Sequence, residues 1–338
     1  MIIFLHSYNP TIKFQSVTVI VNKGYNIFIQ ELISQGITRI AVPLFFVISG
    51  YLFSLNINDG FSEYKLKLKK RIKSLVLPYL LWSMFGIVLY FVLQSIPFSK
   101  PFFTNELIID NSTNELISKI FIYPIAHQLW FIRDLILLVI FYPLLFWLIK
   151  QFNFYVITIL LITWFYNFNY LILENESLLF FAFGILLSKS KINIEKIKKA
   201  NYLNFLFNII WILLVLIKTY LVYINSENEW FIRILHKSSI LIGIISIWLL
   251  YDLIFRKVDI LGSKFYLLFQ YTFFLYAFHE PLLTIFKKLL FYILGNSEFS
   301  SFLIYIIAPM ITILLSIIIG SITRKMTPKL YYIMTGGR

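Results

Sequence analysis

The chain has no cysteine, which excludes a disulfide framework, a thiolate metal site and a cysteine nucleophile. Charge is scarce too. Only 14% of the 338 residues are charged, where soluble domains carry about a quarter. There are four histidines, and none has the paired spacing of a zinc site, so no metal is expected. Acidic residues are the scarcer sign: 16 Asp and Glu face 30 Lys and Arg, a formal net charge of +14. That balance does not point to nucleic acid, because the cations fall in short clusters between apolar stretches, the distribution that orients a chain in a membrane. A cleavable signal peptide is not expected either, because the apolar stretch before His6 is too short.

What the chain does have is apolar mass. It is 59% hydrophobic and 19% aromatic, with mean hydropathy +0.81. Apolar runs of about 18 residues or more recur along its length, each long enough to span a bilayer core. The expected fold class is therefore all-α: a polytopic helical bundle in a lipid bilayer, forming one domain over 1–338 with no separate soluble domain. Residues 1–7 read as the tail end of an incomplete first span, and 8–35 as a loop with some amphipathic character. Further spans are expected near 36–55, 74–95, 128–149, 152–171, 177–188, 202–224, 238–255, 265–286 and 301–322, about ten in all. Between them lie a basic run (Lys65, Lys67, Lys69, Lys70, Arg71, Lys73) and a polar stretch over 96–127 with Asn105, Glu106, Asp110 and Glu115. Two more cation groups follow, Lys189, Lys191, Lys196, Lys198 and Lys199, then Arg256, Lys257 and Lys264. With the first helix running outward, 19 of the 30 Lys and Arg fall on the inner side and 8 on the outer, counting Lys237 as a loop residue, so both chain ends are expected inside.

Ionisable groups inside a membrane are costly and usually face a cavity or a partner. Here they are His6, Arg39, His127, Arg133, Asp134, Lys218, His279 and Glu280. All but Asp134 and Lys218 are assigned to the outer half. A histidine takes a proton near neutral pH and suits general-base work on a hydroxyl, although His6 also suits a plain interfacial role. His279-Glu280-Pro281 interrupts an aromatic helix, where Pro281 removes a backbone donor; polar contact between helices is the competing reading. Arg39 heads the run Ile40-Ala-Val-Pro-Leu-Phe-Phe-Val-Ile-Ser-Gly-Tyr-Leu-Phe53. It stays charged and binds an oxyanion with two donors, or else it snorkels to the interface. Ser49-Gly50 permits close helix approach. The basic run suits either anionic lipid or the phosphates of a cytosolic ligand. Trp130 and Trp82 suit an interfacial belt or stacking on sugar rings.

Taken together, these pieces resemble the membrane acyltransferase-3 family, the bacterial O-acyltransferases. Leu5-His6-Ser7 is similar to the end of that family's first helix. Arg39 to Phe53 is similar to its R-x-x-x-P-x-F-F-x-x-S-G-Y signature. Arg71-Ile-Lys73 with Pro78-Tyr-Leu-Leu-Trp82, His127-Gln-Leu-Trp-Phe131, Phe181-Ala-Phe-Gly184 and Tyr276-Ala-Phe-His-Glu-Pro281 follow in the family's order. An arginine that the family carries about ten residues before the histidine has no counterpart here, and a start assigned too late is the expectation.

The resemblance implies transfer of an acyl group, commonly acetyl, from cytosolic acyl-CoA to a hydroxyl of an extracytoplasmic glycan, in the bacterial inner membrane. It implies His6 as base or acyl relay, and Arg39 as the group that neutralises negative charge. His279 and Glu280 would position the donor or acceptor, and Lys69, Lys70, Arg71 and Lys73 would meet acetyl-CoA. His127, Trp130 and Arg133 are the candidates facing the glycan or lipid-linked sugar acceptor. A carrier of lipid-linked sugars and an inactive scaffolding relative are the alternatives. The sequence leaves oligomeric state open, a homo-oligomer included.

Overall fold

Apolar sequence with little charge can bury its backbone polar groups in a bilayer only by pairing them internally, and a helix does this within one segment. The computed structural model of the chain describes residues 1–15, 17–57, 61–103, 107–168, 172–190, 201–255 and 266–337. Lys191, Lys196, Lys198, Lys199, Arg256, Lys257, Lys264, Asn105 and Glu106 lie outside the described residues. Those described are helical except for loops and one hairpin, in which β1 (Thr11–Lys13) pairs antiparallel with β2 (Thr18–Ile20).

After the short helix α1 (Ile2–Ser7) and the hairpin comes α2, continuous over Tyr25–Ser54, then α3, continuous over Phe61–Ser95. The next are α4 (Thr113–Phe121), α5 (Trp130–Ile140), α6 (Tyr142–Phe152), α7 (Phe154–Phe165) and α8 (Asn175–Lys189). The last five are α9 (Asn201–Tyr223), α10 (Glu229–Phe255), α11 (Thr272–Leu294), α12 (Glu298–Met326) and α13 (Pro328–Thr335).

Five of the described helices are long and apolar enough to cross a membrane (α2, α3, α12, and most of α9 and α10), and α5 with α6 makes six if that bent pair is one span. The chain is thus a multi-pass helical membrane protein, with five or six helices of spanning length among the described residues where the sequence reads as about ten apolar spans. Breaks divide those segments. Pro143 in the first turn of α6 accompanies a 65° bend from α5. Asn153, at φ 46°, separates α6 from α7, whose 12 residues rise only about 18 Å against a core of about 30 Å. Two other expectations change. Helix α2 begins at Tyr25, inside the expected loop. Lys237 and the pair Lys287 and Lys288, read as loop cations, sit within α10 and α11.

The chain forms two compact units. The first holds 1–30, 70–133 and 264–338; the second holds 31–69 and 134–263. In the first, Ile3 of α1, Leu283 and Phe291 of α11, and Ile304 and Ala308 of α12 share one apolar core with Ile12 and Val21. One set of polar groups there is matched internally. Gln30 Nε2 donates to Asn9 Oδ1 (2.9 Å) and Ser301 Oγ (3.2 Å), while the Asn9 N–H donates to Gln30 Oε1 (3.0 Å). Trp82 donates to the Met334 carbonyl (2.9 Å) and ties α13 to α3. Outside the apolar helices, Ser112 caps α4, and its backbone N–H, then its hydroxyl, then Lys119 hold the Glu115 carboxyl below its usual pKa.

In the second unit the two glycines of the sequence motifs face each other's helices. A Cβ at Gly50 would collide with the Phe181 carbonyl oxygen, and one at Gly184 with the Val47 carbonyl oxygen. Helices α2 and α8 therefore touch backbone to backbone, the contact that small residues allow. The Tyr142 and Ser54 hydroxyls lie 3.0 Å apart, and Asp134 accepts from Ser177 Oγ (2.7 Å) and the Glu174 N–H (3.0 Å).

Candidate functional site

The first unit brings two of the four histidines together. The rings of His6, in the last turn of α1, and His279, midway along α11, have centroids 5.4 Å apart and planes tilted by 46°. His279 is fully buried, and its Nδ1 lies 2.6 Å from the Tyr276 carbonyl oxygen. A carbonyl only accepts, so Nδ1 carries the proton and Nε2 keeps its lone pair. That Nε2 is buried with no hydrogen-bond partner. An imidazole held in one tautomer with a bare nitrogen has a lone pair free to accept a proton. His6 is half-buried, the more open member of the pair.

The local cause is a break in α11. Glu280 has extended backbone angles (φ −102°, ψ 133°), so the helix ends at His279 and restarts at Pro281. Pro281 has no N–H, and the Ala277 carbonyl loses its usual donor. Gln128 Nε2 takes that place, donating to the Ala277 carbonyl (2.9 Å) and the Glu280 carbonyl (3.1 Å), while the Tyr276 hydroxyl donates to the Gln128 carbonyl (2.5 Å). Gln128 is thus the clamp that holds the broken helix around His279, and its own Oε1 is buried without a partner. Lys287, two turns past the break, donates to the His6 carbonyl (2.6 Å) and fixes the end of α1 against α11. The Glu280 side chain lies beside Thr284 and in the field of Lys287. Sequence reasoning missed both Gln128 and Lys287. The signal for Lys287 was a cation inside an aromatic helix; the signal for Gln128 was Pro281, which implies a missing donor but does not name its replacement.

The other candidates divide as follows. His127 is exposed and Trp130 half-buried beside Gln128, while Arg133 is buried and donates to the Ile122 carbonyl (2.8 Å), a backbone contact within the first unit. Lys69, Lys70 and Lys73 are exposed on α3 and Arg71 is half-buried, so this run does present cations. Its neighbour Lys67 is spent on structure, donating to the carbonyls of Phe53 (2.8 Å) and Leu55 at the end of α2. Arg39 belongs to the second unit, where one of its nitrogens lies 3.5 Å from a Glu176 oxygen. The first unit also contains a cavity of about 690 Å³, whose lining includes Phe14, Phe98, Phe102, Tyr292 and Asn296. Among the described residues, no group of three or more His, Cys, Asp or Glu is placed to hold a metal ion.

With this geometry in hand, the comparisons are specific. The sequence pattern of the acyltransferase-3 family, an acyltransferase domain, matches residues 1–321. The succinoglycan biosynthesis protein ExoH of Rhizobium meliloti (strain 1021) is 26% identical over 350 residues, covering 100% of this chain and 89% of the relative. No solved structure matches the chain.

Proposed function

The chain belongs to the acyltransferase-3 family, and we propose that it moves an acyl group, acetyl in the first instance, from cytosolic acyl-CoA to a hydroxyl of an exported or cell-surface polysaccharide. The membrane would be the bacterial inner membrane. The observation that carries the reading is the His6–His279 pair, rings 5.4 Å apart, in which the buried His279 keeps a bare Nε2 and His6 is the more open member. In this scheme the acceptor hydroxyl gives its proton to His6, with His279 as the relay behind it. The hydroxyl oxygen attacks the thioester carbonyl, the C–S bond breaks, and the CoA thiolate leaves and takes back the proton. An ester and free CoA result. General-base help of this kind contributes about 10²–10⁴-fold.

Lys69, Lys70, Arg71 and Lys73 would meet the phosphates of acyl-CoA. The aromatic cavity would take a sugar ring, with its C–H faces on Tyr292, Phe98 or Phe102 and Asn296 as a hydrogen-bonding group. Its size is that of a small-ligand site. The succinoglycan role in the relative's name supports a polysaccharide acceptor.

The test is transfer of label from radiolabelled acetyl-CoA to envelope polysaccharide in membranes carrying this chain. Label in the glycan that disappears with His279→Ala supports the reading. No label from acetyl-CoA or longer acyl-CoA, with folded protein and glycan present, overturns it in favour of a carrier.

A further inference from the structure

The second unit brings two cations, Arg39 and Lys237, near Glu176. Arg39 sits just before the regular part of α2, Glu176 in the first turn of α8, Lys237 in α10, and Trp164 near the end of α7. Lys237 is 8% exposed. Its Nζ donates to the Trp164 carbonyl (3.0 Å) and lies 4.2 Å from the centre of the Trp164 ring, and among the described residues it makes no ion pair with a carboxylate. Glu176 makes one contact, the 3.5 Å approach to Arg39, and its Oε1 is buried with no partner. Glu176 thus faces Arg39, and Lys237 lies near the same carboxylate together with Arg233. The neighbouring Lys218 is already matched, donating to Glu31 at 2.6 Å. Two neutral groups complete the picture: Nδ1 of His236 and Nε1 of Trp164 are buried and unpartnered.

Several physical terms point the same way. A buried cation without a counter-charge is costly, and it is stabilised most by an anion that brings its own oxygens. The first turn of α8, which carries Glu176, adds the positive end of its helix dipole. At Arg39 the backbone departs from regular α-geometry, with a π turn over Glu31–Gly36 leading into the 3₁₀ turn Ile37–Ile40 that holds Arg39, the irregularity that often accompanies a site. The Arg39 side chain is 28% exposed, so the cluster is open on that side.

We propose that this cluster is a binding site for an oxyanion, a carboxylate or a phosphate, held by Arg39 and Lys237 with His236 and Trp164 as neutral donors. Glu176 is the internal group that holds Arg39 when the site is empty. The assignment of the anion to a charged group on the acyl donor or acceptor rests on the acyltransferase reading; the site itself does not.

The experiment measures binding to the full chain purified in detergent, by calorimetry and by shift of the thermal midpoint. The probes are inorganic pyrophosphate and glucuronate, with glucose as the neutral control. The expected result is that one of the two anions binds, that salt weakens it, and that Lys237→Met and Arg39→Gln each weaken it on the order of tenfold, while Lys237→Arg restores it. The anion that binds identifies phosphate or carboxylate as the ligand chemistry. The site is refuted if neither anion binds folded wild-type protein, or if Arg39→Gln and folded Lys237→Met bind as tightly as wild type. Should Lys237→Met fail to fold, Arg39→Gln decides alone. Because no acyl donor is present, loss of acyl transfer with binding intact counts against the transferase reading and not against this site.

Discussion

Gln128 donates its side-chain amide to the carbonyl of Ala277, 149 residues away in sequence, and so replaces the backbone donor that Pro281 lacks. The family-like stretch His127-Gln-Leu-Trp-Phe131 therefore has a structural reason to accompany Tyr276-Ala-Phe-His-Glu-Pro281: one supplies the donor the other is missing. Gln128→Leu leaves the buried Ala277 carbonyl and the partly buried Glu280 carbonyl without this donor, the buried one at a cost of about 1–3 kcal/mol. The thermal midpoint should fall, and the turnover rate should fall further than this loss of folded protein accounts for, because His279 sits on the freed turn. Wild-type stability and rate in Gln128→Leu would show that the clamp is unimportant.

Gly50 and Gly184 predict a packing defect. Alanine at either position places a methyl against a backbone carbonyl, which cannot rotate away. Gly50→Ala and Gly184→Ala should each destabilise the protein by about 1–3 kcal/mol, read as a lower thermal midpoint in detergent. Substitution at Gly295, whose would-be Cβ meets nothing within 4 Å, tests its φ of +76° instead, without the clash.

The basic run should separate into two kinds of lysine. Lys69→Gln and Lys73→Gln remove exposed charge and should raise KM for acyl-CoA with kcat unchanged, the signature of lost uniform binding. The effect should shrink as salt rises. Lys67→Met should lower the thermal midpoint through the lost contacts to Phe53 and Leu55 and leave KM alone. An unchanged KM in a Lys69→Gln, Lys73→Gln double variant would remove this run from donor binding.

Tyr292 tests the aromatic cavity. Its side chain is largely exposed, so Tyr292→Ala should fold normally. It should raise KM for the polysaccharide several-fold and leave KM for acyl-CoA unchanged. Equal changes in both would take the acceptor out of this cavity.

Hydropathy made the membrane bundle legible, and the motif residues led to α1, α11 and the glycine contact between α2 and α8. It misplaced elements whose polar residues find partners far away in sequence. Asn26, Gln30 and Glu31 made 25–35 look like loop, but Gln30 is buried against Asn9 and Ser301, and Glu31 against Lys218. Lys237 and Lys287 looked like loop cations because the carbonyls they serve, at Trp164 and His6, have no side-chain signature. Among the described residues fewer helices reach spanning length than the apolar segments suggest, because a hydropathy window averages across Asn153 and Phe141, where the backbone turns. The site was legible as separate histidines; that His6 and His279 meet follows from α1 packing on α11, a contact among ordinary apolar residues.

The most direct test of the central claim is a double-mutant cycle on kcat for acyl transfer with His6→Ala, His279→Ala and the pair combined. Two imidazoles acting as one relay are non-additive. The account predicts that each single variant loses about 10²–10⁴-fold in rate and that the double variant loses no more than the worse single one. Multiplying losses, or either single variant within a few-fold of wild type with the protein folded, would contradict it.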